Sequence, residues 1–406
     1  MSSPRIGIWF IGARGGVAAT ATLGLIALQK KMTGGAGLVS GLPQFERLDF
    51  ASWGSFTVGG HEIREGTLGE AVARLHGESR VFDPALVDAC QDELAAIDER
   101  IRVGTLANCG ETIIGLAGPE SRPLDKESTR DAIARLQDDL GEFQKTTGVT
   151  QVVVVNVAST EPVMDTSALP SRWSELSAAI QEAEFCGLPA SSLYAIAALD
   201  LGMPYVNFTP SLGASPAAIQ ELATLRKTCH AGQDGKTGET LLKSVLAPMF
   251  AARHLEVMSW VGHNIFGNLD GRVLDDPANK AAKIKTKDQL VGGILGYDPQ
   301  TLVSIEYIRS LGDWKTAWDH IHFRGFLGTP MTMQFTWQGC DSLLAAPLVL
   351  DLVRFVELAH RSGEVGVLGQ FGSFFKKPLG LEEHDFSRQF LQLCAWAEAH
   401  SGSATR

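Results

Sequence analysis

Ile6-Gly7-Ile8-Trp9-Phe10-Ile11-Gly12-Ala13-Arg14-Gly15-Gly16-Val17-Ala18 is the stretch whose reading decides the fold. Its apolar run, cut off at once by glycines, predicts a strand and a tight turn. The alanines and leucines from Val17 to Lys31 predict the helix that follows. In such a unit the glycines allow a pyrophosphate close to the backbone, and the helix N-terminus stabilises its charge. Gly12, Ala13, Arg14, Gly15, Gly16 and Val17 are therefore candidate cofactor-binding residues. The run is not GxGxxG, so a plain glycine turn stays open as the other reading of this segment by itself.

The pattern recurs downstream. Gln151 to Val155 is a β-branched run lying between helical patterns, as a parallel strand buried on both faces would, and Asn156 closes it. A helix around Ser191 to Leu201 leads into Pro204 to Phe208, again ending in polar residues, Asn207 and Thr209. Ligands bind at the carboxyl ends of strands in open parallel sheets, so polar tips after apolar runs predict a doubly wound α/β domain. Pro84 to Arg102 and Lys126 to Thr146 read as amphipathic surface helices. From about Leu241 longer strand-like runs appear, Leu255 to Val261 and Leu302 to Ile308, and suggest a second domain. A long apolar helix, Leu343 to His360, is placed to return to the first sheet, and Ser401 to Arg406 are expected to be disordered.

The chain has 406 residues, enough for two or three domains by the usual prior of roughly 150 residues each. Hydrophobic residues make up 45% and charged ones 20%, which fits a folded globular protein. A net charge of -11 argues against a general nucleic-acid binder. The start of the sequence lacks the pattern of a signal peptide. Leu343 to Val353, interrupted by Asp351, falls well short of the roughly 20 apolar residues of a membrane helix. Six scattered cysteines with no CxxC predict reduced thiols, hence a cytoplasmic protein. His320-x-His322 beside Asp319 reads better as a polar strand edge than as a metal site, and no metal ligands are assigned.

Three segments concentrate chemistry. Lys280, Lys283, Lys285 and Lys287 fall within eight residues of an acidic chain. Lys283 and Lys287 would share a helix face, where like charges repel unless an anion or solvent relieves them. Asn264 to Gly271 gathers amides, glycines and Asp270 in a loop that either positions substrate hydroxyls or makes an ordinary turn. Gly232 to Gly238, with Asp234, is similar to a phosphate-cradling loop without the P-loop order. These residues alone point to a nucleotide-binding α/β protein that handles a phosphorylated, hydroxyl-rich small molecule. They do not specify a reaction.

Taken in order, the segments resemble the inositol-1-phosphate synthase family, also called inositol-3-phosphate synthase, especially its shorter archaeal and bacterial branch. The likeness is collinear from about Gly7 to Pro378. Besides the glycine turn it covers Gly59-Gly60-His61-Glu62-Ile63-Arg64, Val155-Asn156-Val157-Ala158-Ser159-Thr160-Glu161-Pro162, and Pro204 to Ser211. It continues through the Asp234 loop, Asn264 to Asp270, Lys283 to Lys287, Gly312-Asp313-Trp314-Lys315, Asp341 to Pro347 and Lys376-Lys377-Pro378. The resemblance implies an NAD-binding Rossmann domain made from residues 1–240 and 341–406, with an inserted α+β catalytic and tetramerisation domain at 241–340. It also implies a redox-neutral conversion of D-glucose 6-phosphate to 1D-myo-inositol 3-phosphate, by oxidation at C5, enolisation, attack of C6 on C1, and reduction. A homotetramer, a divalent or monovalent cation, and no nucleic-acid or membrane partner are further implications.

By family position, Lys283 and Lys376 serve proton transfer and charge stabilisation, while Lys287 and Lys315 hold phosphate or the C1 oxygen. Asp234, Asn264, Asp270 and Asp341 orient lysines, hydroxyls and the nicotinamide. Asn156, Ser159, Thr160, Asn207 and Thr209 join the glycine turn in holding NAD. A desolvated lysine beside other cations is expected to have a lowered pKa and to exchange protons near neutrality. Two departures stand out. Arg14 and Val17 replace the paired asparagines of longer members, and Trp314 replaces the first of two adjacent lysines found in some archaeal members. A related cyclase or a net dehydrogenase on another sugar phosphate would share the loop and differ in substrate-facing residues. A non-catalytic relative would have lost lysines that this chain keeps.

Overall fold

Ile6, Ile8 and Phe10 of the first strand pack on one side of its sheet, while Trp9 and Ile11 pack on the other. A strand apolar on both faces needs helices above and below it, and the computed structural model, which describes residues 5–182, 187–274 and 290–401, supplies them. Among the described residues a seven-stranded parallel sheet is built from β1 (Ile6–Ile11), β2 (Phe56–Glu62), β3 (Ile101–Val103), β4 (Gln151–Asn156), β5 (Tyr205–Asn207), β6 (Cys229–Gly232) and β11 (Gly366–Val367). Their order is β11-β6-β5-β4-β1-β2-β3. The chain runs outward from β1 in one direction, then restarts at β4 and runs in the other. The crevice at the carboxyl ends of β1 and β4 is thus the topological switch point.

β4 repeats the two-faced logic, Val153 and Val155 on one side and Val152 and Val154 on the other, none more than 1% exposed. Each fully buried valine contributes roughly 1.5 kcal/mol or more. One face is covered by the helices Gly16–Gln29, Asp341–Arg361 and Phe386–His400, the other by Thr129–Thr147, Ala190–Asp200 and Ala217–Leu225. The return helix Asp341–Arg361 lies against Gly16–Gln29, and its buried Asp351 accepts hydrogen bonds from Val39 N and Ser40 N.

The second sheet has the order β10-β9-β7-β8, from β7 (Glu256–Phe266), β8 (Gln300–Tyr307), β9 (Trp314–Arg324) and β10 (Pro330–Cys340). β8 runs parallel to β7, and β9 is antiparallel to both β7 and β10. The helix Gly238–Ala252 covers one face, with Ala247 and Phe250 packed on Val257, Trp260, Ile321 and Phe323. Trp318, His320 and His322 alternate onto the outer face. Asp319 points inward and accepts a hydrogen bond from Trp260 Nε1 at 2.7 Å, which separates it from the two histidines.

Several elements differ from the sequence reading. Pro84 to Arg102 is not one helix but two, Pro84–Ala89 and Gln91–Asp98, broken at Cys90 and followed by β3. β9 and β10 were not expected as strands; in β9 Trp318, His320 and His322 on one face and Asp319 on the other obscure the alternation, whereas β10 alternates plainly, Met331, Met333, Phe335 and Trp337 against Thr332, Gln334, Thr336 and Gln338. Among the described residues no helix is long and apolar enough to cross a membrane, and the five described cysteines are free thiols.

β2 approaches β1 so closely that a Cβ on Gly60 would stand 2.4 Å from the carbonyl oxygen of Phe10 and 2.7 Å from Ala13 Cβ. Gly141, inside the helix Thr129–Thr147, has nothing within 4 Å of a built Cβ. Gly60→Ala is expected to destabilise by about 2 kcal/mol or more through overpacking. Gly141→Ala is expected to stabilise by about 0.5–1 kcal/mol through helix propensity. Urea denaturation midpoints of the two variants check both signs.

Candidate active site

The glycine turn is placed by β1 and finished by the helix Gly16–Gln29. Gly12 has φ +82°, and a Cβ there would stand 2.9 Å from Ala158 Cα, so a side chain is excluded on two counts. Gly15 N donates to Gly12 O at 2.9 Å, closing the turn. Gly15 is the N-cap of the helix and, among the described residues, no side chain caps it. The first-turn N–H groups of Gly16 and Val17 therefore open onto the cleft, an anion site of the kind a pyrophosphate fills.

The cleft at the switch point measures about 610 Å³, within the range of small-molecule sites. Gly12, Arg14, Gly15, Gly16, Val17, Asn156, Ser159, Thr160 and Thr209 line it. Ala13 and Asn207 stand behind the wall. Ala13 packs in the core, and Asn207 Oδ1 accepts from Asn156 Nδ2 at 3.3 Å and Thr209 Oγ1 at 2.8 Å, which fixes the two side chains that do face the cleft. Glu62, at the tip of β2, accepts from Arg14 N at 2.8 Å. Burial pushes its carboxyl up, but the adjoining Arg64 guanidinium and backbone N–H groups outweigh burial and hold it below the usual range.

Opposite this wall two lysine–carboxylate pairs share the cleft. Lys376 Nζ donates to Asp234 Oδ1 at 2.8 Å, and Lys315 Nζ lies 3.5 Å from Asp341 Oδ1 and 5.0 Å from the centre of the Phe266 ring. Asp234 has φ +64°, a left-handed conformation that aims its carboxylate at Lys376. Asn264 joins both lysines around a small adjoining cavity. Its Nδ2 bonds Ser304 O at 3.4 Å, whereas its buried Oδ1 has no hydrogen-bond partner among the described residues. Asp270 is the second residue of the helix Leu269–Leu274, and its side chain is outside what is described. Lys283 and Lys287 lie outside the described residues.

Two loop readings are now decided. In Gly232 to Gly238 the N–H groups of Gln233, Asp234, Gly235 and Lys236 all donate to protein carbonyls, so this loop is not a phosphate cradle. In Asn264 to Gly271 Asn268 does turn chemistry, its Oδ1 accepting from Gly271 N at 3.0 Å. Among the described residues no three of His, Cys, Asp and Glu gather to hold a metal ion.

Sequence reasoning did not assign Asp313, Ser342 or Glu161. Asp313 is buried and accepts from Asn268 Nδ2, Cys340 Sγ and Ser342 N at 2.7–2.8 Å. Ser342 Oγ would be 2.5 Å from a Cβ on Gly16, so the return helix seals the glycine turn from behind. Glu161 lines the cleft and accepts from Ser191 Oγ and from Ser191 N at 2.8 Å, anchoring the helix Ala190–Asp200. All three lie within the quoted segments, but the partners of each are outside its own segment and were not readable from it.

The family model described as myo-inositol-1-phosphate synthase, an NAD-binding family, matches residues 37–397. This chain belongs to the myo-inositol-1-phosphate synthase family. Inositol-3-phosphate synthase 1 of Bacteroides thetaiotaomicron is 30% identical over 95% of this chain and 91% of its own length. The inositol-3-phosphate synthase of Spirodela polyrhiza is 28% identical over 88% of this chain and 75% of its own. The crystal structure of inositol-3-phosphate synthase from Caenorhabditis elegans superposes with a TM-score of 0.87 at 23% identity, covering 99% of this chain and 86% of that one, which shows the shared fold. The parallel sheet with its mixed second sheet is thus the synthase-family architecture.

Burial raises the Glu161 carboxyl from 4.5 to about 7, hydrogen bonds from Ser191 and Ser211 opposing it. The folded pKa exceeds the unfolded one, so the native state holds a proton that the unfolded chain releases across that window, and stability falls as pH rises through it. Relative to Glu161→Gln, the wild type is expected to lose on the order of 3 kcal/mol between pH 5 and pH 8. Urea titrations across that range test this, and parallel profiles for the two proteins would sink it.

Proposed function

We propose that this chain is an NAD-dependent, redox-neutral isomerase that converts D-glucose 6-phosphate to 1D-myo-inositol 3-phosphate. The observation that carries the proposal is the meeting, in one cleft, of an uncapped helix N-terminus with the pairs Lys376–Asp234 and Lys315–Asp341. The first fits the pyrophosphate of NAD and the second fits a substrate whose oxygens gain negative charge. The chemistry supplied by bound NAD+ is a reversible two-electron oxidation at C5 of the open-chain sugar, which acidifies C6 and is undone after C6 has attacked C1.

The chain's own residues do the rest. Lys376, held by Asp234 at the floor of the cleft, moves a proton to and from the reacting oxygen and stabilises charge there. Lys315, set between Asp341 and the Phe266 ring, holds phosphate or the C1 oxygen. Lys283 and Lys287 complete the set in the same roles. Asp234 and Asp341 orient the lysines, and Asn264 Oδ1 offers a buried acceptor to a substrate hydroxyl. Partial burial of these groups in the cleft strengthens each of these contacts over its value in water.

The same reading places the cofactor domain at residues 1–240 and 341–406 and the substrate domain at 241–340. It makes the protein a cytoplasmic homotetramer, joined through the outer face of the second sheet. Support comes from Trp318, 38% exposed, and Leu302, 53% exposed, on a face that would otherwise leave large apolar groups in water.

Purified protein given glucose 6-phosphate and catalytic NAD+ is expected to form myo-inositol phosphate, seen by NMR, without accumulating absorbance from NADH. Lys376→Met and Lys283→Met should each lower kcat by roughly 10²–10⁴-fold with NAD+ binding kept. Near-normal turnover in folded Lys283→Met would remove that residue from the mechanism. Accumulating NADH without ring closure would instead make the protein a dehydrogenase.

A further inference from the structure

Glu62 closes β2 beside the glycine turn, the place from which an acidic side chain in this type of fold accepts the 2′-hydroxyl of an adenosine ribose. In this chain the carboxylate is already full. Oε1 accepts from Ile63 N at 3.0 Å, Arg64 N at 3.1 Å and Arg64 Nε at 3.1 Å. Oε2 accepts from Arg14 N at 2.8 Å and Arg64 Nη2 at 3.0 Å. A carboxylate has about four lone-pair sites, so five donors leave nothing to receive a ribose diol.

What the wall presents instead is guanidinium. Arg14, Arg64 and Arg74 all line the cleft, with Glu78 as a further acid beside them. Arg64 Nη2 lies 4.0 Å from where a Cβ on Gly15 would stand, so its head group overhangs the turn that receives the dinucleotide. Arg14 is held in place by Asp98 Oδ1 at 2.9 Å and by Arg64 O at 3.4 Å. A free carboxylate at this point favours a diol and repels a phosphate. Pairing it with Arg64 cancels both effects and leaves forked donors suited to a phosphate.

Resting on the reading of the cleft as a dinucleotide site, we propose that Arg64 sets cofactor specificity, neutralising Glu62 so that the adenosine end admits a 2′-phosphate and the chain binds NADP+ as well as NAD+. Two-pronged capture of Glu62 is the feature responsible, and the 2′-phosphorylated adenine dinucleotides are the ligand class it adds.

Isothermal titration of the full chain with NAD+ and with NADP+, at one fixed ionic strength, tests the proposal without reference to turnover. The wild type is expected to bind NADP+ with a Kd within tenfold of that for NAD+. Arg64→Ser, which frees Glu62, should shift the ratio of the two constants at least tenfold toward NAD+, and Arg64→Lys should shift it less. NAD+ binding with NADP+ more than tenfold weaker in the wild type overturns the proposal, whether or not the variants fold. An unchanged ratio in a folded Arg64→Ser overturns the role of Arg64. Failure of both dinucleotides to bind would overturn the cofactor reading together with this one.

Discussion

The buried carboxylate of Asp313 ties together the parts of the cleft that come from different regions of the chain. It receives Asn268 from the loop after β7, Cys340 from the end of β10, and the N–H of Ser342 in the first turn of the return helix. Its own N–H donates to Ser79 Oγ at 2.9 Å, and its carbonyl accepts from Asp341 N at 2.9 Å. Burial pushes the Asp313 carboxyl up, and the donors around it offset part of that cost. Lys315 lies two residues further on and Asp341 one residue before Ser342. The distance between that lysine and its carboxylate is therefore set by hydrogen bonds in which neither of their side chains takes part.

The two lysine pairs differ in how firmly they are held. Lys376 is 9% exposed in its side chain with Asp234 at 5%, and they touch at 2.8 Å. Lys315 and Asp341 are 13% and 23% exposed and stand 3.5 Å apart. A buried ion pair costs desolvation that its mutual attraction only partly returns, so its presence is better explained by what it does than by stability. The tighter pair is suited to holding a proton at one oxygen. The looser one leaves its ammonium room to meet an anion.

The fold was legible where a local rule decides. Ile6 to Ile11 and Val152 to Val155 read as buried parallel strands because both their faces are apolar, and Gly12 marked the turn because only glycine suits its backbone and its contact with Ala158. β9 escaped because Trp318, His320 and His322 on its outer face mask the alternation of the buried side, whereas Met331, Met333, Phe335 and Trp337 of β10 alternate with Thr and Gln in a pattern the sequence does carry. At the site, the resemblance singled out Lys315, Lys376, Asp234 and Asp341 together, and the fold brings them to one cleft. Glu161, Asp313 and the capture of Glu62 by Arg64 were not assigned from sequence. Each depends on which donors surround a carboxylate in three dimensions, and for Asp313 those donors come from three separate elements, 27, 29 and 45 positions away.

The helix Asp341–Arg361 covers the helix Gly16–Gln29, and Asp351 reaches back 312 positions to the N–H of Val39. A ribosome delivers these partners far apart in time. Until the later helix emerges, Leu23 and Ile26 lack part of their cover, and the glycine turn has no Ser342 behind it. Such non-local closure slows folding and lengthens the exposure of apolar surface. The nascent chain therefore makes its cofactor cleft last, and a polypeptide halted before residue 341 would offer a sheet with one face partly bare to chaperones instead of a working nucleotide site.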